Sequence, residues 1–532
     1  MTLPDSGTAW PPAEHTGRYS RMETTSVWYG GDPGKLSEHY GGGSGGAEYN
    51  SSAKHSISRF FSWFWARRDT TAPDEKVHVP LAQDIAAMSA ELVGNGLRFE
   101  VQPTEFDAEG APTAANKKLR DETQKRLDEL LDYGLFDMVL SAGLETSAAL
   151  GSVAFRIGYD KTSGMKMPTI QRVDADHVVP EYVWGRLVAV TFWRIVRRDG
   201  ELTWYHLERH VDGAIYHGLY MGTRGNLGQR VPLTDHASTA PLATLVDADS
   251  KITMIEGRMT AVSVPNMLPD PLDRDNEAGR SDFSPGVLTL FDAIDKAMTS
   301  LMRDIEDGRS RLLVADYMLD NRGAGQGVSF DEDRHLFTSL KRQPGEQGDP
   351  PIDQVQFAIR VEEHLRAIED FTTRALKMSG YSPDTDQGGD GGAITATEYA
   401  GKQKRSLSTR QKKLRYLQAI EDLLEALLVV DATYFDSRVT PMPVKLVAPA
   451  ASQPSMKELA ETVNLLKTAE AASIRVRVQT LHPDWDDTQI DREVELIQNE
   501  SSVIDPLTFG LGGAGVRRPE PSDEPSDDEP VE

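Results

Sequence analysis

The stretch Ser284–Gly308, SPGVLTLFDAIDKAMTSLMRDIEDG, decides the fold. Ser284 followed by Pro285 is a helix start, with serine as N-cap and proline at the first helical position, where its missing N–H costs nothing. Val287, Leu290, Ile294, Met298, Leu301 and Ile305 then recur every three or four residues, the period of one helix face. A helix over 286–308 spans roughly 35 Å. A second stripe, Val361, Leu365, Ile368, Phe371 and Ala375, predicts a helix over 353–378, capped by Asp353 after Pro350-Pro351 and closed before Gly380. Between the two, RLLVADYML, the glycine-rich NRGAGQG and a short polar helix near FDEDRHLFTSL predict a small α/β module over 309–352. The packing of the pair is expected to rest on Leu290, Ile294, Met298 and Leu301 of the first helix and on Leu365 and Ile368 of the second.

Working outward, SGYSPDTDQGGDGGA (379–393) cannot pack a core. Its glycines give mobility, and the acids of the set Asp384, Asp386, Gln387 and Asp390 repel phosphate. Thr395-Ala396-Thr397-Glu398 is a capping box with Ile394 and Tyr399 placed as a hydrophobic staple, so a third helix is predicted over 395–435. Its first part is basic: Lys402, Lys404, Arg405, Arg410, Lys412, Lys413 and Arg415 fall in fourteen positions with no acid among them. Two readings stay open for that face: a solvated surface or one that pairs with a neighbouring subunit, or a wall that touches phosphate intermittently. From Leu414 through Leu417, Ile420, Leu424 and Leu427 an apolar stripe takes over, and this half should be packed. Two long helices bracketing an insertion, then a loop and a long helix, suit a ring subunit lining a channel better than an enzyme pocket.

The remaining chain supports an α+β body. With 532 residues it exceeds what one hydrophobic core accommodates. It has no cysteine, which removes disulfides, thiolate metal sites and Cys nucleophiles. A net charge of −26 opposes a broad grip on nucleic acid, though not a protein that DNA slides past. The start MTLPDSGTAWPPAEH lacks the basic and apolar regions of a signal peptide, and no apolar run reaches about 18 residues, so no membrane partner is expected. Residues 1–24 read as a flexible arm and 41–46 as a glycine loop; RFFSWFWARR (59–68) reads as an aromatic anchor. Helices are predicted over 81–93 and, broken near Tyr133-Gly134, over 117–150; 152–218 alternates like an antiparallel meander and 222–250 reads as loop. Ser455-Met456-Lys457-Glu458 opens another helix, a last one lies near 486–499, and the acidic segment 506–532 has the composition of a disordered tail.

Motifs for chemistry fail on context. Residues 42–46 match G-x-S-x-G without the strand-turn-helix setting of a nucleophile elbow, and Gly34-Lys35 lacks the rest of a Walker loop. His206, Glu208 and His210 would share one strand face, read as solvated; Asp174, Asp176 and His177 read as a turn at a strand end. No catalytic, metal or cofactor residue is assigned, and an enzyme is not expected.

Five segments in order carry a resemblance: Trp28-Tyr29-Gly30-Gly31; Val79-Pro80-Leu81-Ala82 with Asp84-Ile85-Ala86; VDADHVVPEYVWGRLVAVTFW; GRSDFSPGVLTLFDAIDKAMTSLMRDIEDGRSRLLV; and AITATEYAGKQKRSLSTRQKKL. Over 25–505 the chain resembles the portal proteins of long-tailed double-stranded DNA phages, especially those of actinobacteria. The resemblance implies a ring of twelve subunits at one capsid vertex, with wing (25–285), stem helices (286–308 and 353–378), clip (309–352), tunnel loop (379–394), a long basic wing helix (395–435) and a crown (436–505). It implies DNA conduction and docking rather than catalysis, in the virion and, during assembly, the host cytoplasm. The implied partners are the chain itself, DNA in the channel, major capsid protein and scaffold, the large terminase and a head–tail connector. The competing reading is a monomeric DNA-binding head-completion adaptor that uses the basic helix.

Overall fold

The computed structural model describes residues 3–41, 64–66, 76–108, 110–158, 164–307, 311–315, 337–340, 352–355, 360–383, 404–449, 456–469, 471–482, 485 and 487–503. Two units are present, 1–451 and 452–532. The first opens with helices α1 (Thr16–Gly30), α2 (Pro33–Gly41) and α3 (Leu81–Gly94), strand β1 (Arg98–Val101), and helices α4 (Ala114–Tyr133) and α5 (Phe136–Leu150). The predicted break at Tyr133-Gly134 is there: Gly134 N–H returns to Leu130 O, closing α4, and Leu135 enters α5 in the left-handed region at φ 49°.

Strands follow: β2 (Ser152–Gly158), β3 (Thr169–Asp174), β4 (Val178–Val183), β5 (Arg186–Asp199), β6 (Leu202–Val211), β7 (Ala214–Thr223), β8 (Asn226–Val231), β9 (Lys251–Thr253) and β10 (Ala261–Pro265). The antiparallel meander β4-β5-β6-β7-β8 takes β9 onto β7, while β2 sits between β10 and β3 in a separate three-stranded sheet. The 222–250 region is thus not all loop: β8 continues the meander before two 3-10 turns.

Helix α6 (Pro285–Asp307) precedes strands β11 (Arg311–Ala315), β12 (Phe337–Leu340) and β13 (Ile352–Val355), then helix α7 (Val361–Ser379). β11 pairs parallel with β12 and antiparallel with β13. Two expectations change here. Asp353 lies in a strand, so the second helix starts at Val361, and FTSL is β12 rather than part of a helix. Helices α8 (Lys404–Leu417) and α9 (Ala419–Tyr434) replace the single predicted helix, which breaks at Gln418; the capping box at 395–398 lies outside the described residues.

Strand β14 (Val444–Val447) then pairs antiparallel with β1, so 436–449 belongs to the first unit and not to the C-terminal helices. In the second unit α10 (Met456–Thr468), α11 (Ile474–Leu481) and α12 (Asp487–Val503) are described, while the acidic 506–532 lies outside the described residues. Among the described residues no helix is long and apolar enough to cross a membrane.

One core gathers α3, α4, α5, β2 and the apolar face of α9, with Leu127, Leu130, Phe136, Phe155, Ile420, Leu424 and Leu427 buried. Each such side chain withdrawn from water contributes roughly 1.5–3 kcal/mol before entropy is counted. A second core holds Trp28, Trp65, Ile85, Phe283, Val287, Phe291, Ile294 and Tyr381. Of the 59–68 segment only 64–66 is among the described residues, and there Trp65 is buried in this core.

The N-terminal arm is a correction. Residues 1–24 read as loose because they are polar and proline-rich, yet the backbone of 7–10 finds the edge of β8: Gly7 N–H donates to Gly228 O (2.6 Å), Leu227 N–H to Thr8 O (2.9 Å) and Trp10 N–H to Gly225 O (3.0 Å). Leu3 and Trp10 are buried against Tyr205, Leu207, Tyr220 and Leu227. Open strand-edge groups reward any segment that pairs with them.

Candidate functional site

Helices α6 and α7 run antiparallel. Met378 touches Gly286 at one end, while Asp304 accepts from Arg360 (3.1 Å) and contacts His364 (3.1 Å) at the other. At the Gly286 end the chain enters and leaves through a buried polar junction. Gly380, at φ 97°, terminates α7 in the left-handed conformation, and Tyr381 N–H returns to Leu376 O (2.9 Å), which turns the tyrosine inward.

Four elements converge there. Lys413 of α8 donates to Asp282 Oδ2 (2.6 Å), Ser89 Oγ of α3 (2.7 Å) and Tyr381 OH (2.9 Å). All three ammonium donors are used. Tyr381 OH donates to the same Asp282 oxygen (2.7 Å), and Asn266 Nδ2 donates to Oδ1 (2.9 Å). Asp282, Tyr381 and Lys413 are 2%, 0% and 5% exposed. Burial pulls the Lys413 ammonium below its ordinary range against the opposing pull of Asp282; burial, then Asp282, push the Tyr381 phenol well above its own. Around it Thr409 Oγ1 donates to Gly380 O (2.6 Å), Ser382 N–H to Ser406 Oγ (2.8 Å) and Arg410 to Leu92 O (2.8 Å) and Pro449 O (3.1 Å). Chemically this is a lock: a neutralised buried ion pair holding the base of a helical pair against α3 and α8.

A second set of contacts holds α6 along its flank. Asp295 accepts from Val79 N–H (2.8 Å) and Trp65 Nε1 (3.1 Å) and pairs with His78 Nδ1 (2.8 Å). Asp292 accepts from Phe64 N–H (3.0 Å), and Thr299 Oγ1 from Val77 N–H (3.0 Å). Burial raises the Asp292 carboxyl above its ordinary value.

The predicted residues divide. Ile294 and Leu301 are buried, Leu290, Met298 and Ile368 half-buried, and Leu365 is 45% exposed, so the stripe of α7 is only partly covered. The basic face splits by helical position. Arg410 and Lys413 turn inward and are consumed within the chain, which corrects their assignment to a channel or subunit-facing surface; Lys404, Arg405 and Lys412 are exposed. Lys402 and the loop residues Asp384, Asp386, Gln387 and Asp390 lie outside the described residues.

Sequence reasoning missed Asp282, Tyr381 and Ser89, for which no spacing signal exists. It could have found Asp292, Asp295 and Thr299, a polar stripe at i, i+3 and i+7 on α6.

The strand face expected to be solvated is covered: His206 and His210 are buried and Glu208 is half-buried. Arg156 Nη1 donates to Glu208 Oε2 (2.5 Å), and His210 bridges Glu208 (2.8 Å) and Thr260 (2.7 Å). His206 stacks on His217 with ring centroids 5.5 Å apart. Burial, reinforced by His217, pushes His206 down to about 3. Burial alone would raise Glu208, but Arg156 and the His210 hydrogen bond hold it well below the usual carboxylate range. The Asp174–His177 turn is as expected, a 3-10 turn between β3 and β4.

A family model described as phage portal protein, SPP1 Gp6-like, matches residues 10–506. No curated protein matches the chain. Among solved structures, a chain from the neck of a native GTA particle, computed with C12 symmetry, is similar at 11% identity and a TM-score of 0.35, over 76% of this chain and 89% of that one. The family match spans most of the sequence, and the chain belongs to the SPP1 Gp6-like family of phage portal proteins.

Proposed function

We propose, from membership of the portal family, that this chain is the repeating subunit of a ring at one capsid vertex. DNA enters through the ring during packaging and leaves through it at ejection. In this reading α6 and α7 form the stem and the β11–β13 sheet the clip. Residues 25–285, with α8 and α9, make the wing, and the helices after 452 the crown. The clip meets the large terminase and later a head–tail connector, and the outer ring meets major capsid protein and scaffold. Asp384, Asp386, Gln387 and Asp390 would form the tunnel loop. Lys404, Arg405 and Lys412 would face DNA or the next subunit. Twelve subunits is the expected number, and the protein would reside in the virion after assembly in the host cytoplasm.

The observation that carries this reading is the helical pair itself. Its base is locked by buried charge, yet Met302, Ile305, Val361 and Leu365 toward its other end are 42%, 41%, 38% and 45% exposed. Apolar side chains on both helices, left uncovered within one chain, are what a neighbouring copy would cover.

Light scattering after size exclusion, with negative-stain microscopy, tests it. Rings with a central hole and a mass many times 58.7 kDa are expected. A chain that stays monomeric at high concentration with scaffold and capsid protein present would instead favour the adaptor. Deleting 383–392 should leave rings intact and impair packaging in a head-filling assay; unchanged filling would remove the tunnel-loop role.

A further inference from the structure

We propose that Trp184 of one copy docks on the apolar turn Tyr133–Leu135–Met138 of the next, making the β4–β5 hairpin one half of a head-to-tail contact between identical chains. Trp184 is 98% exposed. It stands at φ 56°, with Gly185 at 75°, and together they form the two-residue turn of the hairpin. The left-handed conformation costs a non-glycine residue roughly 1–2 kcal/mol, and Asn or Asp would make the same turn at lower cost and without an indole in water. Among the described residues none covers the indole. An outlier of this kind points toward function.

The proposed acceptor has the same signature. Leu135 is at φ 49° and 61% exposed, between Tyr133 at 41% and Met138 at 68%. The charges around the two turns are complementary: exposed Arg186 follows the tryptophan, and exposed Asp132 and Asp137 flank Leu135.

The two turns sit at opposite ends of β2. A Cβ on Gly134 would lie 3.7 Å from Thr169, which pairs with Gly158 at the end of that strand. A Cβ on Gly185 would lie 3.9 Å from the Glu277 carboxylate, and Gly279 of that loop sits against Gly151, just before Ser152. Seven strand residues, roughly 20 Å, separate them, so one chain cannot use its own anchor to cover its own patch. Two different patches joined between copies make a heterologous contact, which closes into a ring when the rotation allows.

This inference rests on the ring reading, and the test separates the two. The absence of cysteine makes the full-length wild type a clean background for cross-linking. Trp184→Cys combined with Leu135→Cys, treated with a short bis-maleimide, should give a ladder of multimers on a denaturing gel. Neither single variant should. Trp184→Ser should keep the wild-type circular dichroism and thermal midpoint, since the side chain touches solvent. It should also raise the concentration needed for half-assembly roughly tenfold or more, as loss of an aromatic anchor does. Rings by light scattering with no ladder, a cross-link to a different protein, or Trp184→Ser rings at wild-type concentration overturn the contact alone. A wild-type chain that never forms rings overturns the ring reading and the contact with it.

Discussion

The two ends of the α6–α7 pair are built on opposite principles. At the base, Asp282, Lys413 and Tyr381 are buried and each is bonded to the other two. At the far end, half-buried Asp304 and His364 meet exposed Arg360, among exposed Met302, Ile305, Val361 and Leu365. A buried ion pair is costly to break because the survivor stays uncompensated, whereas a surface pair is screened by water. The contrast teaches which end of the pair is fixed by this chain and which is left for something else to fix.

Breaking the base should cost most. Asp282→Ala leaves the Lys413 ammonium buried without its carboxylate, and about 3–5 kcal/mol should be lost in urea unfolding of the assembled or monomeric protein. A midpoint within error of wild type would erase the distinction between the ends.

Acid probes burial elsewhere and sharpens the point that buried polar groups, not exposed ones, govern stability here. His206 is held near 3 in the folded sheet against an ordinary 6.5. Its folded pKa is depressed, so the unfolded chain binds a proton that the folded chain refuses. Stability is therefore full above 6.5 and falls as pH drops toward 3, at up to roughly 1.4 kcal/mol per pH unit. Urea midpoints between pH 7 and 4 should show such a slope, and His206→Gln should reduce it, leaving the part that comes from His217, which burial also lowers.

Tyr381→Phe removes one hydroxyl from the base while leaving the ion pair, so a loss of about 1–3 kcal/mol is expected in the same assay. Asp304→Asn at the open end should leave the unfolding midpoint where it was. Ile294→Asp is a poor probe of assembly. Ile294 is 1% exposed inside its own chain, so the substitution would damage the fold first.

The helices were legible where periodicity and caps are local. Ser284-Pro285 opened α6 within one residue, and the apolar stripe Leu417–Leu427 marks the buried face of α9. What stayed hidden depends on distance along the chain. Lys413 looks like its basic neighbours in sequence; only the meeting with Asp282, 131 positions away, distinguishes it. The N-terminal segment carries no pattern of its own because β8 supplies the order. The start of α7 was missed because Asp353 imitates a cap where β13 pairs with β11. The face of His206, Glu208 and His210 was assigned to the right side of the strand and to the wrong surroundings, since alternation says which residues share a side but not what covers them.

The pairing of β1 with β14 bears on how the chain reaches its native state during synthesis. Arg98 lies opposite Val447, so the first strand finds its partner only after the intervening chain has emerged. At about 5–20 residues per second, that wait is on the order of half a minute. Throughout it, the backbone of Arg98, Glu100 and Gln102, which faces the missing strand, presents an unpaired edge to every other nascent copy. Such an edge is a template for misassociation, so a chaperone that shields 98–101 during translation should raise the yield of soluble protein more than one acting after release.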